Sequence, residues 1–189
     1  NCPFCRERVP TNDEVIKRLN ARVDANDADA IFRLGWYCLH GSNGVPQDLN
    51  KAMELWLRAA ELGSNMAHAS LAQSYYTGQG VGSDTKKAKY HWELAAMAGN
   101  EEARYNLGVL ENDNGNMNRA MKHCMIAATT GHDLSMRAIK QVFELGRVTK
   151  DDYEKTLRAY NDSVEEMKSE DRDKATAALQ SSKWSDCLH

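Results

Sequence analysis

Cys2-Pro3-Phe4-Cys5-Arg6 is the string best equipped for chemistry in this 189-residue sequence. Two thiolates separated by two residues can clasp one tetrahedral zinc ion from a tight turn, and the same spacing also serves thiol–disulfide exchange. A pair is half of a structural zinc site, so Cys2 and Cys5 hold zinc only if further Cys or His ligands join them. Exchange chemistry wants the first thiol at the start of a helix, and Pro10 blocks a helix running on from the motif. His123-Cys124 is a second candidate pair. Adjacency alone does not make it a nucleophile and its base, since neighbours on a helix point about 100° apart. No phosphate loop, Gly-x-Ser-x-Gly, His-Glu-x-x-His or dinucleotide fingerprint occurs. The expectation is a chain without a catalytic site.

Composition narrows the class. Charged residues make up 27% and hydrophobic ones 42%, with 12 Gly and 3 Pro, the balance of a folded, helix-rich protein. Lys and Arg number 24 against 27 Asp and Glu, a net charge of −3, whereas a chain that binds nucleic acid by neutralising phosphates leans basic. Nucleic acid is therefore not an expected partner. Seven acids against four bases from Asn161 to His189 make the tail the acidic part. No run of ~18 apolar residues could span a bilayer, so no membrane is expected. Five cysteines, an odd number, with Cys2 and Cys5 together and Cys38, Cys124 and Cys187 scattered, read as reduced thiols, which points to an intracellular, cytoplasmic or nuclear setting.

An internal repeat supplies the elements. Asp48, Asp84 and Asn116 each stand four residues before Ala52, Ala88 and Ala120, and eleven residues later come Gly63, Gly99 and Gly131. The pairs Ala59-Ala60, Ala95-Ala96 and Ala127-Ala128 precede those glycines. Asp or Asn caps a helix start, and Gly takes the left-handed turn that ends one, so each block contains a helix B. Upstream, Ala30, Ala67 and Ala103 precede Leu34, Leu71 and Leu107 by four, each followed by a small residue: Gly35, Ala72 or Gly108. That is the apolar stripe of a helix A with a notch for close approach. Turn formers around Val45 and Val81 join the two, each valine expected to be buried.

These residues resemble the Sel-1-like repeats, relatives of the tetratricopeptide repeats, with the pattern Ala-x-x-x-Leu-Gly-x-x-Tyr, Gly-x-Gly-Val, Asp-x-x-Lys-Ala, Ala-Ala, Gly-Asn. Block two matches most fully, through Ala67, Leu71, Tyr75, Gly78, Gly80, Val81, Asp84, Lys87, Ala88, Trp92, Ala95, Ala96, Gly99 and Asn100. Block one has Cys38 at the tyrosine position. Block three has Glu111 there and a loop four residues shorter than block two. The resemblance implies an all-α fold, an α/α superhelix (solenoid) of about three to four helix-turn-helix repeats with capping helices. The expected organisation is a zinc-module remnant at 1–10, a capping helix at 11–28 opened by the box Thr11-Asn12-Asp13-Glu14, and three repeats at 29–132. A degenerate fourth repeat and capping helix follow at 133–168, then an acidic, partly disordered tail at 169–189. Ala138 and Val142 are read as the fourth helix A. Tyr153, Leu157, Tyr160, Val164 and Met167 form the apolar face of the closing helix.

Solenoids of this kind bind on the concave surface, which the resemblance places on helix A positions pointing away from helix B. In this sequence those include Phe32, Trp36, Leu39, Gln73, Tyr76, Tyr105, Val109 and Asn112. The aromatics among them suit a partner peptide, because they bury much area with few rotors to freeze; packing between adjacent helices A is the alternative. Trp56 and Trp92 share one register position in helix B and are expected in the core, as His91 and His123 share that of Leu55 on a helix face. Lys86, Lys87 and Lys89 are expected on a solvated face. The partner expected is another protein, held by a scaffold or adaptor.

Cys-Pro-x-Cys followed by a basic residue also resembles the last ligand pair of a RING finger, whose other six ligands would lie upstream of Asn1. That likeness implies zinc at Cys2 and Cys5, a ubiquitin-conjugating enzyme as partner, and the solenoid as the substrate-recognition arm of a ubiquitin ligase. The string is similar, too, to a glutaredoxin active site, though without that fold's preceding strand and following helix. Cysteine-rich secreted relatives of the repeats carry a cysteine pair in every repeat, whereas each clear repeat here has at most one.

Overall fold

The computed structural model describes residues 11–167, so Cys2, Cys5 and the expected tail lie outside the described residues. Every regular element within that range is a helix: α1 (Asn12–Asp24), α2 (Ala28–His40), α3 (Leu49–Glu61), α4 (Asn65–Thr77), α5 (Thr85–Met97), α6 (Glu101–Asp113), α7 (Met117–Ala128), α8 (Asp133–Glu144) and α9 (Lys150–Met167). Each helix packs on its sequence neighbours, and contact is densest within α2–α3, α4–α5 and α6–α7. The architecture is an α solenoid of helical hairpins.

Side-chain caps set the helix boundaries. Asp48 accepts from the Lys51 amide at 2.9 Å, and Asp84 accepts from the Lys86 and Lys87 amides at 3.0 Å. Ser64 and Asn100, each one residue after a repeat glycine, cap α4 and α6 by accepting from Ala67 and Ala103. Gly63, Gly99 and Gly131 all take positive φ, near 90°, at the turn between repeats, where a side chain would be strained. Asn116 departs from the expected pattern: its side chain makes no cap and instead donates from Nδ2 to Glu111 at 2.9 Å. The shorter third loop brings Asn116 next to the end of α6, where its amide bonds the Glu111 carbonyl at 2.7 Å.

Small residues let the two helices of a hairpin approach. A Cβ built on Gly35 would lie 2.6 Å from Nε1 of Trp56, and one on Gly108 would lie 3.0 Å from Sγ of Cys124. Trp56 and Trp92 are each 2% exposed and fill successive hairpins, as their shared register requires. Val45 and Val81 are only half-buried, because the connecting loops lie at the rim of the helix layers.

Both ends close by specific contacts. The capping box at Thr11 and Glu14 forms on both sides, and Leu19 and Val23 are buried. Arg58 of α3 ties α1 down by donating to the Val23 carbonyl and to Asn26 Oδ1. In the fourth helix A the register is set not by Ala138 and Val142, which are half-buried, but by Ser135 and Ile139, both 0% exposed. Ser135 follows Gly131 by four, as Ala67 follows Gly63 and Ala103 follows Gly99. On α9 only Thr156 is buried; Tyr153, Leu157, Tyr160 and Val164 are half-buried and Met167 is exposed, so the closing helix covers the last hairpin partly.

Candidate interaction surface

The helices A (α2, α4, α6 and α8) form one layer and α3, α5 and α7 the other, with Trp56 and Trp92 buried between them. Trp56 donates from Nε1 to the Phe32 carbonyl at 3.2 Å, and the Phe32 ring stacks over it with centroids 6.3 Å apart. Tyr76 leans on Trp92 at 5.1 Å, and its hydroxyl donates to Asp113 of α6 at 3.4 Å. Each core indole of α3 and α5 is thus roofed by an aromatic ring of the helix A layer.

The sequence-derived residues divide by environment. Trp36 is 43% exposed, braced edge-on by Tyr37 and against His40, whose Nδ1 lies 2.9 Å from the Trp36 carbonyl. Gln73 is exposed, Tyr76 is 37% exposed, and Asn112 is exposed. Phe32 is half-buried on Trp56. Leu39 turns into the first core cluster. Tyr105 is half-buried against the His132 ring, and Val109 is half-buried beside Asn112. Two clefts run between successive helices A. The one at α4–α6 is floored by Trp92 and edged by Gln73 and Asn106; the one at α6–α8 has no indole below it.

That second cleft, of about 210 Å³, lies where the third repeat breaks the tryptophan series. Cys124 holds the register position of Trp56 and Trp92, and the smaller side chain leaves Met117, Met121, Val109, Ala138 and Val142 lining an opening rimmed by Asn112 and Gln141. Burial pushes the Cys124 thiol up to about 11, so it stays largely protonated near neutrality. Of the adjacent His123 and Cys124, only Cys124 lines the cleft.

Charge and titration follow structural needs. Glu111, 3% exposed, receives Lys89 Nζ at 2.6 Å on Oε1 and Asn116 on Oε2. Lys89 therefore departs from the expected solvated face, while Lys86 and Lys87 keep it, Lys87 lying 5.2 Å above the Tyr75 ring. The hydrogen bond from Lys89 holds the Glu111 carboxyl below the usual carboxylate range. His68 and His91 meet Nδ1 to Nδ1 at 3.0 Å, and burial, aided by the neighbouring His68 and Lys87, lowers His91 to about 4. The sequence hid these pairings because their partners sit 22 and 23 residues apart, on different helices. Among the described residues no three His, Cys, Asp or Glu side chains cluster to hold a metal ion, and no helix is long and apolar enough to cross a membrane.

Residues 28–64 and 65–100 match the model of the Sel1 repeat family, and the boundaries fall at the start of α2, at the Ser64 cap and at the Asn100 cap. Residues 28–100 thus match two Sel1 repeats. The third hairpin, α6–α7, lies outside the matched segments and is where the loop shortens and the tryptophan gives way to Cys124. Two solved structures share the Sel1-like fold. One is c5321, a protective antigen of uropathogenic Escherichia coli strains, described as displaying an SLR fold (TM-score 0.67, 29% identity, 79% of this chain and 33% of that one). The other is a Sel1 repeat protein from Oxalobacter formigenes (TM-score 0.69, 25% identity, 83% and 65%). Among curated relatives, cytochrome c oxidase assembly factor 7A of Xenopus laevis is 33% identical over 84 residues, 41% of this chain and 36% of the relative. Chitin synthase regulatory factor 4 of Schizosaccharomyces pombe is 29% identical over 127 residues, 66% of this chain and 20% of the relative. The match spans about a third or less of these relatives' own length.

Proposed function

We propose that this repeat protein is a scaffold that holds partner proteins along its helix A face, in the service of assembling or regulating a larger protein complex. The observation that carries this reading is Trp36: its indole stands 43% exposed on a helix whose core contacts are already satisfied, while Trp56 and Trp92 are 2% exposed. A rigid aromatic left in water on one helix A, with Gln73 and Tyr76 exposed on the next, supports recognition of a peptide segment with apolar side chains. The names of the relatives, an assembly factor and a regulatory factor, support the same role. The chemistry asked of the chain is adhesion, not turnover. Buried, unpaired thiols at Cys38 and Cys124 support a reducing, intracellular setting.

A photo-crosslinking residue placed at Gln73, and in a separate sample at Met97 on α5, tests the reading in the native cell. Partner adducts at Gln73 and none at Met97 are the expected result; adducts at Met97 alone would place binding on the other face. A second reading, the recognition arm of a zinc-dependent ubiquitin ligase, has Cys2-Pro3-Phe4-Cys5 as its support. It requires bound zinc and ubiquitin transfer by the protein isolated from its own cell, and lack of either retires it.

A further inference from the structure

The α6–α8 cleft has the form of a tryptophan site whose own repeat no longer supplies the tryptophan. In the first hairpin the indole of Trp56 lies under Gly35 and bonds the Phe32 carbonyl. The third hairpin keeps the glycine, Gly108, and its counterpart of Phe32 is Tyr105, but Cys124 stands in place of the indole. What remains is a cleft of about 210 Å³ with an apolar, methionine-rich floor and amide groups of Asn112 and Gln141 at its mouth. Methionine adapts its shape to an aromatic ring and makes favourable sulfur–ring contacts, and the amides can accept an indole N–H.

We propose that this cleft takes the indole of Trp184, from the chain's own segment 168–189. The sequence has four tryptophans; Trp36, Trp56 and Trp92 belong to the first two repeats, and Trp184 follows the end of α9 by seventeen residues. Its immediate sequence neighbours are polar, Ser182 and Lys183 before it and Ser185 and Asp186 after it, with only Cys187 and Leu188 following as apolar residues, so the indole has most to gain from a preformed cleft. The tether is long enough. Met167 ends α9 with its methyl group where a Cβ on Gly131 would stand, at the end of α7. From Gly131 back to Cys124 is on the order of 10 Å along the helix, whereas seventeen residues reach up to roughly 60 Å. Attachment to the same chain also raises the local concentration of the indole to about the millimolar range, which lets one ring suffice. The cleft borders the proposed partner face, so the docked segment competes with a partner for the α6–α8 end. The docking itself stands or falls without that partner, because it is read in the isolated chain.

The test uses the 189-residue chain with labelled methionine methyl groups and labelled tryptophan. Cross-peaks between the Trp184 indole and the Met117 or Met121 methyls are expected. Trp184→Ala is expected to shift those two methyl signals and leave Met53 and Met97 in place. Cys124→Trp, which returns the repeat's own indole to the cleft, is expected to remove the Trp184 cross-peaks. Alkylation of Cys124, read cysteine by cysteine by mass spectrometry, is expected to be at least about tenfold faster in Trp184→Ala than in the parent chain. Absent cross-peaks together with unmoved Met117 and Met121 signals would overturn the proposal. Cross-peaks that fade on dilution would overturn it as well, since they would place the indole of one copy in the cleft of another. Trp184 lies outside the repeats, so its replacement reads docking even if Cys124→Trp fails to fold.

Discussion

Gly35 and Trp56 are in closer register than any other side chain at position 35 allows: a Cβ there would stand 2.6 Å from Nε1 and 2.7 Å from Cδ1 of the indole. The glycine of helix A and the tryptophan of helix B are therefore one device that sets the spacing of the first hairpin. Gly35→Ala gains helix propensity of about 1 kcal/mol but forces a buried, hydrogen-bonded ring to move, an overpacking cost of about 1–3 kcal/mol. Net destabilisation is expected in urea unfolding. Gly82→Ala, with nothing within 4 Å of the added atom, is expected to leave the midpoint nearly unchanged.

The two kinds of tryptophan should separate in the same experiment. Trp56→Ala empties the core of the first hairpin and is expected to cost about 3–5 kcal/mol. Trp36→Ala removes a ring that is 43% exposed and is expected to cost under about 1 kcal/mol. Equal costs would place Trp36 in the core.

The buried carboxylate of Glu111 depends on Lys89 and Asn116, which come from the helix before and the loop after it. Lys89→Met leaves the carboxylate with one amide donor and is expected to cost about 1–3 kcal/mol. Glu111 would then titrate at higher pH than in the parent chain. Unchanged stability in urea and an unchanged Glu111 titration by NMR would contradict this role.

Acid should loosen the fold before its carboxylates titrate. His91 is held at about 4 against an ordinary 6.5, and His68 and His123 are lowered as well, because burial disfavours the charged ring. The unfolded chain binds more protons in that interval, so the stability these neutral rings allow is present above about pH 6.5 and is lost as pH falls toward 4. The groups facing the pair are Lys87, which opposes protonation, and the Tyr75 and Tyr90 rings. Urea midpoints should fall between about pH 7 and pH 4.5, and His91→Leu, the residue that repeat one has at this position as Leu55, should flatten the fall. A midpoint independent of pH in both chains would contradict the account.

The repeat anchors were legible because each is a local device. Asp48 and Asp84 cap the next turn, Gly63 and Gly99 reverse the chain, and Trp56 and Trp92 recur in register, all within one block. The third block blurred where one change hides another. Asn116 looks like a third cap, but the shortened loop hands its side chain to Glu111. In the fourth helix A the spacing of Ala138 and Val142 imitates the Ala-Leu stripe; counting four from Gly131 reaches Ser135, and four more reaches Ile139, the pair that is buried. Of the candidate surface, the exposure of Trp36 could not be read from type alone, since Phe32 and Leu39 on the same helix turn inward to the core. Whether an aromatic residue packs or protrudes depends on helices that lie dozens of residues away.

The affinity of the purified chain for a partner recovered by crosslinking at Gln73 tests the central claim most directly, measured by calorimetry on the parent, on Trp36→Ala with Gln73→Ala, and on Leu57→Ala with Met97→Ala. The helix A double variant is expected to bind at least about tenfold more weakly with unchanged helical content, and the α3–α5 double variant to bind as the parent does. Undiminished binding by the first variant, or loss confined to the second, would contradict a scaffold that works through its helix A face.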